Sequence, residues 1–248
     1  MSLSSTIEWT ETTWNPSTGC TKISPGCKHC YAERFAERWR GIPGHPYEQG
    51  FDIKIWEKRL TMPLSWKKPR LIFVNSMSDL FHDDIPEEFI LAVFDAMKQS
   101  SWHQFQLLTK RPQRMLEISH KIGTFPSNVW AGVSVESQAW VWRINILKEV
   151  PAQIRFLSCE PLLGSLNLSL ENLHWVIVGG ESGAGARSMD IEWVRDVRDQ
   201  CVEAKVPFFF KQWGGVQKKK NGRELDGKTW NDFPSFTKSK YNPQLLVC

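Results

Sequence analysis

From residue 70 onward the chain repeats one pattern: a short apolar run rich in β-favouring residues, a polar loop, then a segment whose apolar positions recur at helical spacing. The apolar runs fall at 71–74, 105–108, 129–133, 154–157, 175–178 and 206–210. The helical segments begin near Pro86, with Phe89, Val93 and Met97 on one face, at Met115, after Ser137 as a cap, and at Asp190. No long stretch alternates polar and apolar residues, so strands alternating with helices imply a parallel sheet with right-handed crossovers.

The first part of the chain is organised differently. An extended stretch at 7–14 leads into a loop, 20–31, kinked by Gly19, Pro25 and Gly26; a helix then opens at Tyr31, with Phe35 and Trp39 four apart and Gly41 as a stop. Residues 41–70 mix Gly, Pro and charge and read as an insertion with its own surface. Counting the strand before Cys20 gives six to seven units, and 248 residues suit an α/β fold of this kind. The expected architecture is a full or partial (β/α) barrel forming one domain over 1–234, followed by a tail at 235–248.

In such folds ligands gather at the carboxyl ends of the strands. The polar residues sit at those ends: Cys20; Ser76, Ser78 and Asp79; Thr109 and Lys110; Ser134 and Glu136; Ser158, Cys159 and Glu160; Glu181; Lys211 and Gln212. Strand ends are polar in any fold, and it is the agreement of all seven that singles out this face.

Composition changes the picture modestly. Hydrophobic residues make up 41% and charged residues 23%, ordinary for a globular protein. The net charge of +4 and the 13 tryptophans permit a nucleic-acid or nucleotide partner without demanding one. No apolar run occupies 1–13 and none reaches membrane-spanning length, so a cytoplasmic protein with no membrane contact is expected. Six cysteines are too few and too unevenly placed for a disulfide framework. Cys201 follows Val194 and Val197 at core spacing, and Cys248 ends the tail.

The remaining thiols carry the candidate chemistry. Cys20, Cys27 and Cys30 fall within eleven residues. A structural zinc site closes on four protein ligands, and His29, His45, His82, Cys159 or Cys201 can supply a fourth; a 4Fe-4S cluster on three thiolates leaves one iron open. An open iron can take the amino and carboxylate groups of S-adenosylmethionine, with Ser76, Ser78, Asp79, Ser134 and Glu136 available for its ammonium and ribose. The loop 179–185 exposes backbone N–H groups around Gly180 that suit an anion or a cofactor carboxylate. Glu136, Glu160, Glu181 and Lys211 are candidate catalytic groups, and the same carboxylates can instead pair with Lys110, Arg111, Arg187 or Lys211. The Lys218, Lys219 and Lys220 run, with Asn221-Gly222 and Asp226-Gly227, reads as an exposed turn region open to phosphate. Nothing points to a Ser nucleophile or a zinc protease.

Several stretches together resemble a known family: Trp14-Asn15-Pro16 to Cys30-Tyr31-Ala32, Ser76-Met77-Ser78-Asp79-Leu80-Phe81-His82, Leu108-Thr109-Lys110-Arg111-Pro112, Gly132-Val133-Ser134-Val135-Glu136, Glu160-Pro161-Leu162-Leu163-Gly164, Gly179-Gly180-Glu181-Ser182-Gly183 and Phe209-Phe210-Lys211-Gln212-Trp213-Gly214. They resemble the phage Gp37/Gp68 family, a domain of unknown function, over about 6–234. That family is similar to radical S-adenosylmethionine enzymes, although six residues separate Cys20 from Cys27 where those enzymes usually carry three. The resemblance implies a 4Fe-4S cluster on the three cysteines, S-adenosylmethionine as cofactor with His29 beside its adenine, an electron donor such as a flavodoxin or ferredoxin, and a nucleic acid or nucleotide as substrate. The competing readings are a zinc-containing nucleic-acid-binding protein and a zinc-dependent hydrolase on the same barrel, with Glu136 or Glu181 as its base.

Overall fold

The computed structural model describes residues 5–235. Seven strands form one sheet in chain order: β1 (Thr12–Trp14), β2 (Leu71–Val74), β3 (Gln104–Thr109), β4 (Val129–Ser134), β5 (Ile154–Cys159), β6 (Trp175–Gly179) and β7 (Phe208–Gln212). Every neighbouring pair is parallel. β1 and β7 are the two edges and do not pair with each other, so the sheet curls into a partial (β/α) barrel instead of closing.

The helices of seven residues or more are α1 (Tyr31–Glu37), α2 (Glu87–Gln99), α3 (Pro112–Ile122), α4 (Trp142–Glu149) and α5 (Ile191–Glu203). The strands are apolar on both faces because each face has its own core. Outward-pointing Ile72, Val74, Leu107, Val133, Leu157, Val176 and Phe210 share one cluster with Val93 and Met97 of α2, Met115 of α3, Leu147 of α4 and Val197 of α5. Inward-pointing Phe73, Trp130, Phe156, Trp175, Ile177 and Phe209 form a second cluster. Burying such side chains stabilises by about 1.5–3 kcal/mol each; they fill the amino-terminal half of the barrel, and a cavity lies in its carboxyl half.

Two segments outside the strands complete that plug. The stretch expected as extended from residue 7 is a strand only at Thr12–Trp14. Before it the chain turns, Thr10 N–H donating to the Ile7 carbonyl, and Trp9 inserts among the inner residues against Phe73 and Trp175. At the other end Phe210 and Asp232 exchange backbone bonds with Trp230 and Phe208, covering the β7 edge. Phe233 then packs on Trp175.

Local expectations differ from the structure in small ways. Asp190 caps α5 by accepting from the Glu192 N–H at 2.9 Å. Ser137 occupies a cap position but makes no side-chain cap bond, and a 3-10 turn, Gln138–Trp140, precedes α4. The β5–β6 crossover has no helix, and its apolar residues Leu162, Leu166, Leu168, Leu170 and Leu173 are buried from an irregular loop. Residues 41–70 hold a strand, Lys54–Ile55, paired antiparallel with Ser17–Thr18, and pack on the main core through Ile53, Ile55, Leu60, Met62 and Trp66. The expected tail beyond Ser235, Cys248 included, and the side chains of Lys218 and Lys219 lie outside the described residues. Among the described residues no helix is long and apolar enough to cross a membrane.

Candidate functional site

The period-2 alternation that fills the lower barrel also builds its mouth. Moving up each strand on the inner face, Phe73 gives way to Asn75, Leu108 to Lys110, Trp130 and Gly132 to Ser134, Phe156 to Ser158, and Phe209 to Lys211. These residues, apart from Trp130, Gly132, Phe156 and Phe209 below them, line a cavity of about 440 Å³. That volume lies within the usual range for a small-molecule site. Trp9, Phe73 and Leu108 contribute its apolar surface, and His29, Ser76, Ser78, Asp79, Glu160, Gly180 and Glu181 also line it.

Cys20, Cys27 and Cys30 open into this cavity from one side. All three are free thiols and half-buried. A 3-10 turn, Pro25–Cys27, carries the second, and Cys30 is the residue from which α1 starts. Burial and the Asp79 carboxylate push the Cys20 thiol up to about 11, against the opposing pull of Arg111. Burial raises Cys30 too, while the Glu33 and Ala32 amides and Lys110 oppose it. The Arg111 guanidinium donates to the Cys20 sulfur at 3.5 Å.

The donor set fits an iron–sulfur cluster. Three accessible thiols share one loop at a cavity, and a guanidinium already faces one sulfur; a cluster needs thiolate ligands and is tuned by hydrogen bonds to its sulfurs. Among the described residues no three His, Cys, Asp or Glu side chains converge as the ligands of a single ion do. Of the candidate fourth ligands for zinc, Cys159 and Cys201 are buried in the outer core. His82 is within hydrogen-bond distance of Thr21 Oγ1, at 2.8 Å, and accepts from Asp84 N–H, and His45 stacks on Trp39.

The candidate polar residues divide by what holds them. Asp79 accepts from Thr109 Oγ1 at 2.7 and 2.9 Å, from the N–H groups of Phe81 and Lys110 at 3.0 and 3.1 Å, and from Arg111 at 3.4 Å. Glu181 is gripped by Arg187 through its N–H, Nε and Nη2; burial would raise its carboxyl, and the Arg187 bonds outweigh that and leave it below the usual range. Glu136 has no solvent exposure and pairs with the equally buried Arg143 at 2.9 Å, behind the cavity wall. Ser76 bonds Asn15, and Ser78 bonds Ser17. Gly180 is packed so closely on the Trp213 carbonyl that a Cβ there would lie 2.0 Å from its oxygen.

Glu160, Lys110 and His29 also face the cavity. Glu160 pairs with Lys211 at 3.0 Å. Lys110 donates to Ser134 Oγ at 3.2 Å and forms no carboxylate pair among the described residues. His29 lies beside the Gly-rich loop, its ring carbon 3.4 Å from where a Cβ on Gly185 would be. The sequence left two contributors unseen: Trp9, which forms part of the floor, and Arg143, which holds Glu136; Arg187, one of the pairing partners expected for the carboxylates, holds Glu181. Arg143 lies within α4, away from the strand ends.

Fold and site together define a partial parallel (β/α) barrel with three thiols at the carboxyl-end mouth. The sequence belongs to the phage Gp37/Gp68 family, described as "Protein of unknown function (DUF5131)", whose sequence model matches residues 4–234. No curated protein and no solved structure matches the chain.

Proposed function

We propose that this chain is a radical S-adenosylmethionine enzyme, with a 4Fe-4S cluster on Cys20, Cys27 and Cys30, acting on a nucleic acid or nucleotide. The observation that carries this reading is the meeting of three half-buried free thiols, on one loop, with a cavity at the carboxyl ends of a parallel barrel. When bound, such a cluster would supply the electron that cleaves S-adenosylmethionine to methionine and a 5′-deoxyadenosyl radical. A cluster spreads its thiolates over different irons and so tolerates a wider spacing than the tetrahedron around one zinc. This is why the thiol arrangement favours iron–sulfur.

The residues around the cavity would divide the work. Trp9, Phe73 and Leu108 keep water from the floor, which protects reactive species. His29 borders the Gly-rich loop where an adenine edge would rest. Lys110 with Ser134 offers a cation and a hydroxyl to an anionic group, and the Glu160–Lys211 pair supplies a proton donor and acceptor at the centre. A cavity of about 440 Å³ admits a nucleotide-sized group and no stacked duplex, so a base in a polymer would have to leave its stack to enter. The electron would come from a partner such as a flavodoxin or ferredoxin.

The test is anaerobic purification and reconstitution with iron and sulfide, with metal counting, absorbance and electron spin resonance, and Cys27→Ala as control. About four irons per chain, a reduced signal that changes on adding S-adenosylmethionine, and loss of both in the variant are expected. One tightly held zinc and no stable cluster would overturn the reading and turn attention to nucleic-acid binding or hydrolysis.

A further inference from the structure

Between Cys20 and Cys30 the chain has one short regular element, the 3-10 turn, and is otherwise tied by Cys20 N–H to the Phe51 carbonyl, by Thr21 to His82 and by Lys22 to Glu33. Its shape must therefore be set from outside. Three carboxylate–arginine pairs touch it, each based at a different place on the barrel mouth. Arg111, held by Asp79, donates to Cys20 Sγ at 3.5 Å and to the Thr21 carbonyl and Oγ1 at 3.3 and 2.9 Å. Glu136, held by Arg143, accepts from Gly26 N–H at 3.3 Å. Arg187, held by Glu181, donates to the Pro25 carbonyl at 3.0 Å.

Buried ion pairs are poor sources of stability, because desolvation offsets their attraction; their best attested use is to fix position. Glu136 and Arg143 are an extreme case. Both are without exposure, and two of the Arg143 nitrogens, Nε and Nη2, have no hydrogen-bond partner. Gly26 is pressed so near Glu136 that a Cβ would lie 3.1 Å from its carboxyl carbon. A protein selected for stability alone would replace such a pair by apolar residues. Its location, directly beneath the residue before Cys27, is explained if the position of that backbone is what matters.

The geometry points to Asp79–Arg111, Glu136–Arg143 and Glu181–Arg187 as positioning pairs that clamp the cysteine loop at its start, middle and turn so that its thiols are set for metal. This rests on the proposed metal site and gives Asp79, Glu136 and Glu181 a supporting role in place of a chemical one. The clamp also accounts for the long gap between Cys20 and Cys27: the additional residues are the ones that Arg111, Arg187 and Glu136 hold. Arg111 has a second effect, because its N–H points at a ligand sulfur, and hydrogen bonds to cluster sulfurs raise the reduction potential.

The experiment compares Arg111→Gln, Glu136→Gln and Arg187→Gln with the unaltered chain and with Arg195→Gln, a surface arginine that does not touch the loop. Iron and sulfide are reconstituted, and loss of iron to a chelator is timed while circular dichroism follows the fold. Iron loss about tenfold faster in the three variants, with the fold intact and Arg195→Gln unchanged, is expected, together with a lower reduction potential in Arg111→Gln. Iron loss at the unaltered rate in all three, on an intact fold, would overturn the clamp. Should Glu136→Gln fail to fold with Arg143 left unpaired, the double variant Glu136→Gln/Arg143→Met removes both charges and takes its place. Should the unaltered chain bind no iron, the cluster reading fails by itself. The clamp is then decided on the metal-free chain by amide hydrogen exchange: faster exchange confined to residues 20–28 in the variants supports it, and unchanged exchange rejects it.

Discussion

The Lys211 ammonium lies 3.0 Å from one oxygen of Glu160, and the other oxygen accepts from Trp9 Nε1 at 3.3 Å and Ser158 Oγ at 3.1 Å. One carboxylate thus joins β5, β7 and the N-terminal plug. The groups are mostly shielded, with 17% and 14% of their side chains exposed. Gly179 leaves no slack, since a Cβ there would sit 2.5 Å from Glu160 Oε1.

Replacing Glu160 by Gln keeps the shape and leaves Lys211 without its counter-charge. A charge-assisted hydrogen bond of this kind is worth about 1.5–3 kcal/mol. For a chain of this size that corresponds to a fall in melting temperature of roughly 3–12 °C, taking about 2–4 °C per kcal/mol. Glu160→Gln/Lys211→Met should recover most of the loss, because no unpaired charge remains. Differential scanning calorimetry decides: a single variant as stable as the unaltered chain would show that the pair is solvated and the cavity wetter than described.

Gly132 faces the inner cluster on β4, where an added Cβ would lie 2.4 Å from the Phe156 ring. Phe156 is fully buried and packed on Trp175, so it cannot swing aside freely. Gly132→Ala should cost about 1–3 kcal/mol by overpacking. Gly164, with nothing within 4 Å of the same added atom, should accept Ala with little change. Denaturant midpoints of the two variants check the contrast, and equal midpoints would mean that the plug yields.

The strands were legible because their apolar runs are short, separate and rich in Val, Ile and Phe; 71–74 coincides with β2 and the others agree to within two residues at either end. The face that carries the cavity was legible too, since the inner-face alternation puts Lys110, Ser134, Ser158 and Lys211 at its mouth. What each carboxylate does was not. Asp79, Glu136, Glu160 and Glu181 look alike as strand-end acids, and only the position of Arg111, Arg143, Lys211 and Arg187 separates them. Trp9 was hidden for a related reason. Its value comes from turning into a barrel formed by residues more than sixty positions away, which no local pattern encodes.

Asp226 and Gly227 both have left-handed backbone, φ 54° and 71°, between the paired strands Glu224–Leu225 and Lys228–Thr229. Two successive positive φ values define the turn that suits a tight hairpin, and Asp-Gly is a preferred pair for it. Gly227→Ala should cost about 1–2 kcal/mol, the penalty for an L side chain in this region. Gly227→Asn, which tolerates the conformation better, should cost less. An unfolding midpoint for Ala at or above that for Asn would mean that the turn opens instead.

The buried histidines make stability depend on pH in a definite direction. His103 is fully buried against Trp66, Trp102 and Phe105. Its Nε2 is 3.1 Å from the Pro63 carbonyl and so carries the proton, while Nδ1 has no partner. Burial lowers its pKa below the ordinary 6.5; burial and Arg111 lower that of the buried His82, and burial and Arg155 lower that of the half-buried His174. Below 6.5 the unfolded chain therefore binds protons that the folded chain resists, and stability falls as pH drops until the folded imidazoles also protonate. Above 6.5 the contribution is complete and the profile should be flat. Melting temperatures from pH 8 to pH 5 test this, with His103→Gln expected to decline less steeply below pH 6.5. A flat profile down to pH 5 would mean that these rings reach water when protonated, and so that the slot between Trp66 and Trp102 opens in solution.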